Sequence, residues 1–324
     1  MRPKRHLIRQ AFLPLALLAA LLGGGAQATA DDGPYGAGQD TGRGEGAAPR
    51  QSQDGVPGPG DNPAPGLVSG DPADLVGGDP RASGAKIFTG DAFDTCLAPS
   101  LATMRAWHAG SPFGAVGVYF GGRARACPNQ PRLNSAWVTE TDRMGWKLLP
   151  VYVGSQSPCV GAERKRRFAM SEDRPAEQGA EEGRDAVARA KALGMAAHSA
   201  LYLDMEAYDN SDARCAVTTL AFIQGWNRAV QKAGYLPGFY CSADSGIEHM
   251  EGARKAGRRD LPQVLWFARW RVSPSVDAEK ALDKLAWQPH RRIHQYDGNV
   301  QRTYGGHRLN IDRNVMDAPV AVVG

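Results

Sequence analysis

From about Ala85 onward, short apolar runs alternate with segments whose apolar residues recur every three or four positions. Runs of five to eight residues rich in Val, Leu, Phe and Tyr read as strands. The longer periodic segments read as amphipathic helices. Strands are predicted at Phe88 to Phe93, Ala115 to Phe120, Trp146 to Val153, Leu201 to Asp204, Leu236 to Cys241, Val264 to Ala268, Arg292 to Tyr296 and Leu309 to Asp312. Helices are predicted at Ser100 to His108, Asn134 to Met144, Ala176 to Leu193, Ala216 to Ala233 and Gly246 to Ala256. Ser100 is a candidate N-cap, and Gly194 and Gly234 stand where a helix C-terminal glycine belongs. Strand and helix in alternation over this length indicate an α/β fold, a TIM-type (β/α) barrel with room for irregularity. The rival is an open doubly wound sheet. No glycine-rich phosphate loop follows the first strand, which counts against a nucleotide-binding domain.

The first 83 residues have a different pattern. Met1 to Gln10 carries Arg2, Lys4, Arg5 and Arg9, and Ala11 to Leu22 is apolar but short for a bilayer. Ala26-Gln27-Ala28 and Ala28-Thr29-Ala30 are small-x-small cleavage candidates, so residues 1–30 read as a secretory signal peptide, with an uncleaved anchor as the alternative. Residues 31–83 are Gly, Pro, Asp, Gln and Ser with few large apolar residues, and read as a disordered spacer. The expected organisation is thus signal peptide at 1–30, spacer at 31–83 and barrel domain at 84–324. The product would be secreted, extracellular or associated with the cell wall.

Charge and cysteines narrow the chemistry. The 324 residues carry a formal net charge of +4, part of it in the first ten residues. Without a basic block interleaved with aromatics, nucleic acid is a poor partner. The run Arg164-Lys165-Arg166-Arg167 reads as a solvated loop or helix end. No later segment is apolar enough to be transmembrane, and a monomer is expected. The five cysteines, Cys96, Cys127, Cys159, Cys215 and Cys241, lack Cys-x-x-Cys spacing, so no zinc site and no cofactor is expected. Export favours disulfides and the odd count leaves one thiol over. Cys127 with Cys159 is the expected pair, since both follow adjacent strands.

Candidate chemistry collects at the predicted strand ends, where barrel enzymes place their sites. Leu203-Asp204-Met205-Glu206 sets two carboxylates one residue apart, on one face if the strand continues, with backbones roughly 7 Å apart. Such a pair cannot ionise freely at both members, and that suits acid/base work on a glycosidic bond. Asp94 ends the first strand and Asp312 the last, with Asp297 as a second candidate for the last role. Tyr119, Tyr152, Gln156, Tyr208, Tyr240, Trp266, Trp270, Gln295 and Tyr296 also fall at strand ends or just beyond. They are candidates to bind substrate, the aromatic ones as faces on which sugar rings stack.

Several short motifs occur in order: Phe93-Asp94-Thr95-Cys96, Val118-Tyr119-Phe120-Gly121-Gly122, Tyr202-Leu203-Asp204-Met205-Glu206, Gly238-Phe239-Tyr240-Cys241-Ser242, Trp266-Phe267-Ala268-Arg269-Trp270, His294-Gln295-Tyr296 and Asn310-Ile311-Asp312. Together they resemble domain-of-unknown-function family 1906, an exported glycoside-hydrolase-like family, over roughly Ala85 to Val320. That family is in turn similar to the family-twenty-five muramidases, which cut bacterial cell-wall glycan. The resemblance implies Glu206 as proton donor to the leaving sugar oxygen. It implies Asp204 as stabiliser of the developing positive charge, either directly or through the substrate's own acetamido group, and Asp94 and Asp312 as groups that hold the site in charge and geometry. The expected function is a glycoside hydrolase on peptidoglycan or another wall polysaccharide. The alternatives are a non-catalytic glycan-binding protein in the same groove and a metal-dependent phosphodiesterase with Asp94, Asp204 and Glu206 as ligands.

Overall fold

The computed structural model describes residues 78–324. The expected signal peptide and nearly all of the expected spacer lie outside the described residues. Eight strands close into a barrel in chain order: β1 (Ile87–Asp94), β2 (Ala115–Gly121), β3 (Lys147–Tyr152), β4 (Ala200–Asp204), β5 (Leu236–Ser242), β6 (Val264–Ala268), β7 (Arg292–Tyr304) and β8 (His307–Pro319). Five helices alternate with the first six strands: α1 (Leu101–Gly110), α2 (Ser135–Arg143), α3 (Pro175–Ala192), α4 (Ala213–Lys232) and α5 (Glu248–Lys255). Ser100 caps α1 by accepting from the Thr103 amide, and Asn134 and Asp212 cap α2 and α4 in the same way.

The regular alternation ends after β6. Neighbours from β1 through β7 pair in parallel, whereas β8 runs antiparallel to both β7 and β1. The sequence pattern shows two short strands here, and the structure has two of 13 residues joined as a hairpin. Its outer half alternates intermediate and exposed positions, so no apolar stripe advertises it. It is held down on α1: the Trp107 indole donates to the His307 carbonyl at 2.9 Å, and the Tyr304 ring meets Trp107 edge-on at 5.0 Å.

Two layers of core follow from the period-2 alternation of the strands. Ala92, Ala115, Leu149, Val151, Tyr202, Trp266, Ile293 and Met316 fill the barrel, with Trp266 meeting Tyr202 and Tyr240 edge-on. Residues one position out of phase, such as Phe93, Leu148, Leu203, Phe239 and Phe267, pack with the helices. Gly117 of β2 faces inward, where an added Cβ would lie 2.5 Å from the Asp94 Cβ and 3.3 Å from the Trp266 ring. Only glycine lets those two side chains share that level of the barrel.

Two disulfides secure the connections, Cys96–Cys127 and Cys159–Cys215, and Cys241 is free and buried. This corrects the expected Cys127–Cys159 pair. Cys96 follows β1 and meets the β2–α2 loop, while Cys159, beyond β3, meets the first turn of α4. No helix among the described residues is long and apolar enough to cross a membrane.

Candidate active site

The parallel strands deliver Asp94, Tyr119, Asp204, Tyr240, Trp266 and Gln295 to one small cavity in the mouth of the barrel. Each shares the inward phase of the residues below it and stands at or past the midpoint of its strand, except Gln295, which closes the parallel-paired part of the long β7. Asp312 reaches the same rim by another route. In the β1–β8 ladder it is the register partner of Asp94, because β8 descends from the hairpin into the barrel.

Asp94 is buried and its carboxylate is saturated. One oxygen accepts from the Tyr119 hydroxyl at 2.7 Å, and the other from the Gln295 amide at 3.1 Å and the Asn314 amide at 3.0 Å. The donors are themselves fixed. The Gln295 carbonyl accepts from Tyr240 and from the Trp270 indole, both at 2.9 Å, and the Asn314 carbonyl accepts from the Trp266 indole at 2.8 Å. Burial pushes the Asp94 carboxyl upward, opposed by these three hydrogen bonds. A polar network this complete defines one geometry for the inner wall of the site.

Asp204, the last residue of β4, is pushed up to about 7, by burial first and then by the charges of Glu206 and Asp94; the Lys165 ammonium opposes them. Asp312 is likewise pushed up to about 7, by burial and by Asp94, while the Asn299 amide donates to it at 2.6 Å and holds it down. Four acids are therefore charge-coupled across β1, β4 and β8 and the turn after β4.

Glu206 lies beyond the end of β4, and its side chain is about one-third exposed. Gln156 holds it there: the Gln156 side chain accepts from the Glu206 amide at 2.9 Å and donates to the Asp204 carbonyl at 3.1 Å. The Glu206 carboxylate meets the Lys165 ammonium at 3.2 Å. Lys165 is buried, and it donates to the Ala124 carbonyl at 3.0 Å as well. The basic run is thus not a wholly solvated one. It forms a short 3-10 helix, Glu163–Phe168, that turns one of its four cations into the protein.

Several expected substrate-binding residues point elsewhere. Tyr152 is one position out of phase with Val151, so it faces α3 and donates to Asp185 at 2.8 Å. Tyr208 is buried among the helices, with its hydroxyl 2.9 Å from His249 Nδ1. Tyr296 is buried on the outer side, under the Arg313 guanidinium. Gln156 is fully buried with its amide committed to backbone, which makes it a support and not a contact surface. Asp297 is the register partner of Arg313 in the β7–β8 ladder and pairs with its guanidinium at 3.6 Å, whereas Asp312 is the residue set opposite Asp94. Trp266 lies under the cavity as its floor, while Trp270 and Tyr240 are half-buried at the rim.

Lys165 is the contributor that sequence reasoning did not place in the site, whereas Asn314, which follows Asp312 beyond the last predicted strand, is already suggested by its position. Among the described residues, the group of His, Cys, Asp and Glu with ligand atoms within 4.8 Å of one another is Cys159, Asp212 and Cys215, and its sulfurs form a disulfide.

Residues 105–316 match the family described as the Rv2525c-like, glycoside hydrolase-like domain. Solved structures similar to this chain include the Tat-secreted protein Rv2525c of Mycobacterium tuberculosis, at 16% identity over 71% of this chain and 96% of that one, with a TM-score of 0.45. An uncharacterized protein of B. stearothermophilus is 18% identical over 70% of this chain and 95% of that one, with a TM-score of 0.44. The spore cortex lytic enzyme SleM of Clostridium perfringens is 11% identical over 70% of this chain and 67% of that one, with a TM-score of 0.47. No curated protein matches the chain.

Proposed function

Because the chain belongs to the Rv2525c-like, glycoside hydrolase-like family, we propose that it is an exported glycoside hydrolase that cleaves peptidoglycan or another wall polysaccharide. The observation that carries this reading is the convergence of Asp94, Asp204 and Asp312 on one rim of the barrel, with Glu206 at its edge. Glycosidic cleavage needs a proton for the leaving oxygen and negative charge facing the oxocarbenium-like centre. Asp204 keeps a proton in part at neutral pH, so the Asp204–Glu206 pair has one to give. Glu206 is the more exposed member and is the one placed to reach a leaving oxygen. Asp204, deeper, stabilises the sugar's positive charge. Asp94 and Asp312 maintain the field and geometry around them. Trp270 and Tyr240 offer aromatic surface at the rim for sugar rings.

The disulfides fit an oxidising compartment, and with the signal-like N-terminus they support export. A second reading is favoured by the Lys165–Glu206 ion pair, which engages the expected donor. On that reading the groove binds glycan without cutting it. The test is incubation of the full chain with purified cell walls and a labelled glycan panel, beside Glu206→Gln and Asp204→Asn. Release of reducing ends by the wild type, lost in both variants, supports hydrolysis. Equal release by all three proteins removes the catalytic proposal, and binding without release supports the second reading.

A further inference from the structure

The connection between β3 and α3, residues 153–174, is fastened across the mouth at several points. The Cys159–Cys215 disulfide ties it to α4, and the Gly161 amide donates to the Ala207 carbonyl at 2.9 Å, beside Glu206. Arg123, from the β2–α2 loop, donates to the Phe168 and Ala169 carbonyls, each at 2.8 Å, and to the Ser155 hydroxyl at 2.9 Å. The result is a rigid mount for one side chain. Lys165 reaches inward from the 3-10 helix, buried between the Ala124 carbonyl at 3.0 Å and the Glu206 carboxylate at 3.2 Å.

A buried ammonium is expensive unless it is paired. A loop needing only an anchor would be served by an apolar residue. Here the cation faces the place where negative charge accumulates. The groups around the Asp204 carboxyl are Asp94 on β1, Tyr119 on β2, Lys165 on the β3–α3 connection, Glu206 after β4, Tyr240 and Cys241 on β5, and Asp312 on β8. Tyrosines and a buried thiol pushed up to about 12 carry no charge near neutrality, so Lys165 stands against four acids.

We infer that Lys165 is a positioning residue for the Asp204–Glu206 pair: anchored on the Ala124 carbonyl, its ammonium fixes Glu206 at the mouth of the cleft and offsets the negative charge gathered there. This rests on the reading of the site as an acid/base centre. The charge has a direct consequence. Lys165 pulls the Asp204 carboxyl down against burial, Glu206 and Asp94, which all push it up. Without the ammonium, Asp204 holds its proton to higher pH, and the alkaline limb of any activity moves the same way.

The test is a carboxyl carbon NMR titration of the full chain, with Asp204 assigned from its loss in Asp204→Asn, in the wild type and in Lys165→Met and Lys165→Arg. Lys165→Gln, which can still donate to both the Ala124 carbonyl and Glu206, covers the case in which Met is not tolerated. The expected result is a rise of the Asp204 midpoint by about 1 pH unit or more in the uncharged variants and its return towards wild type in the Arg variant. On a cleaved glycan, the uncharged variants should lose kcat by about 10-fold or more with KM little changed, and keep their activity to higher pH. An Asp204 midpoint that stays put in folded Met or Gln variants overturns the inference. If the wild type cleaves no glycan, the proposed hydrolase fails, and the titration still decides the role of Lys165.

Discussion

Asp94 and Asp312 face one another as register partners in the β1–β8 ladder, brought together from opposite ends of the domain. Asp94 is the leading charge that raises Asp312. The antiparallel return of β8 is what makes this possible. A parallel eighth strand would present its C-terminal end at the mouth, whereas β8 presents its N-terminal half.

The saturation of Asp94 makes it the least forgiving of the four acids. In Asp94→Asn the remaining oxygen can keep both the Gln295 and Asn314 amides, which share one carboxylate oxygen, and the NH2 group then faces the Tyr119 hydroxyl that now donates to the other. Leaving that buried hydroxyl without its acceptor costs about 1–3 kcal/mol. We expect Asp94→Asn to lower the unfolding free energy by about that much and to disable the site, as read by urea denaturation and by the glycan assays. Unchanged stability would show that the network can rearrange around the loss.

Asp204 should trade stability for function. Its carboxyl titrates at about 7 in the folded chain, above the 3.8 of an unperturbed aspartate. For a raised carboxyl, the folded state binds more protons than the unfolded state between these two values, so stability falls as pH rises through that window and levels off above it. Asp204→Asn removes the titration. Relative to wild type, the variant should gain stability from about pH 4 to pH 8, on the order of 3–4 kcal/mol across the window, while losing activity. Thermal melts of both proteins at a series of pH values check this, and a difference that does not change with pH contradicts it. Asp312 titrates in the same range, so hydrolysis that depends on protonated carboxyls should decline above about pH 7.

Much of this arrangement is readable from the chain. The eight strands and five helices, the Ser100 cap and the placement of Asp94 and Asp204 at strand ends all follow from periodicity and local chemistry, whereas Asp312, expected to end the last strand, lies inside β8. Three physical features hide the rest. Strands buried on both faces, such as β3, carry an unbroken apolar run from Leu148 to Tyr152, so alternation supplies no phase and Tyr152 cannot be told from an inward residue. Lys165 is concealed differently: three neighbouring cations stay at least partly exposed, and only the fold selects the one that turns inward. The β7–β8 hairpin escapes because its outer half leans on α1 through a few contacts instead of an apolar face.

The Cys159–Cys215 bridge closes a segment with a sequence separation of 56 and holds the connection that bears Lys165 and Gln156. A loop of that size stabilises the fold by roughly 4 kcal/mol in the chain-entropy account. Replacing both cysteines with serine should therefore lower the melting temperature and also weaken glycan binding, because the mount for Glu206 loosens. The Cys96–Cys127 pair, which ties the β1–α1 connection to the β2–α2 loop and does not itself join the β3–α3 connection, should lower stability when removed with less effect on Glu206. Melting temperature and glycan affinity measured for both double variants separate the two. Equal functional losses would argue against a specific role for the β3–α3 connection.

Gly298 offers a way to disturb the rim without touching an acid. An added Cβ there would lie 2.3 Å from Trp270 Cζ2 and 2.5 Å from Cη2, closer than side-chain atoms approach. Trp270 cannot yield freely, since its indole donates to the Gln295 carbonyl at 2.9 Å and Gln295 in turn holds Asp94. Gly298→Ala must then either displace the ring, breaking that hydrogen bond, or move the β7 backbone. We expect a loss of about 1–3 kcal/mol in stability and, if Trp270 forms part of a sugar platform, a fall in glycan affinity of about 10-fold. A double-mutant cycle isolates the cause. In a Trp270→Ala background the clash is gone, so Gly298→Ala should cost little more in stability or binding, and the two effects should be strongly non-additive. Additive losses would place the injury in the β7 backbone and leave the Trp270 ring out of glycan recognition.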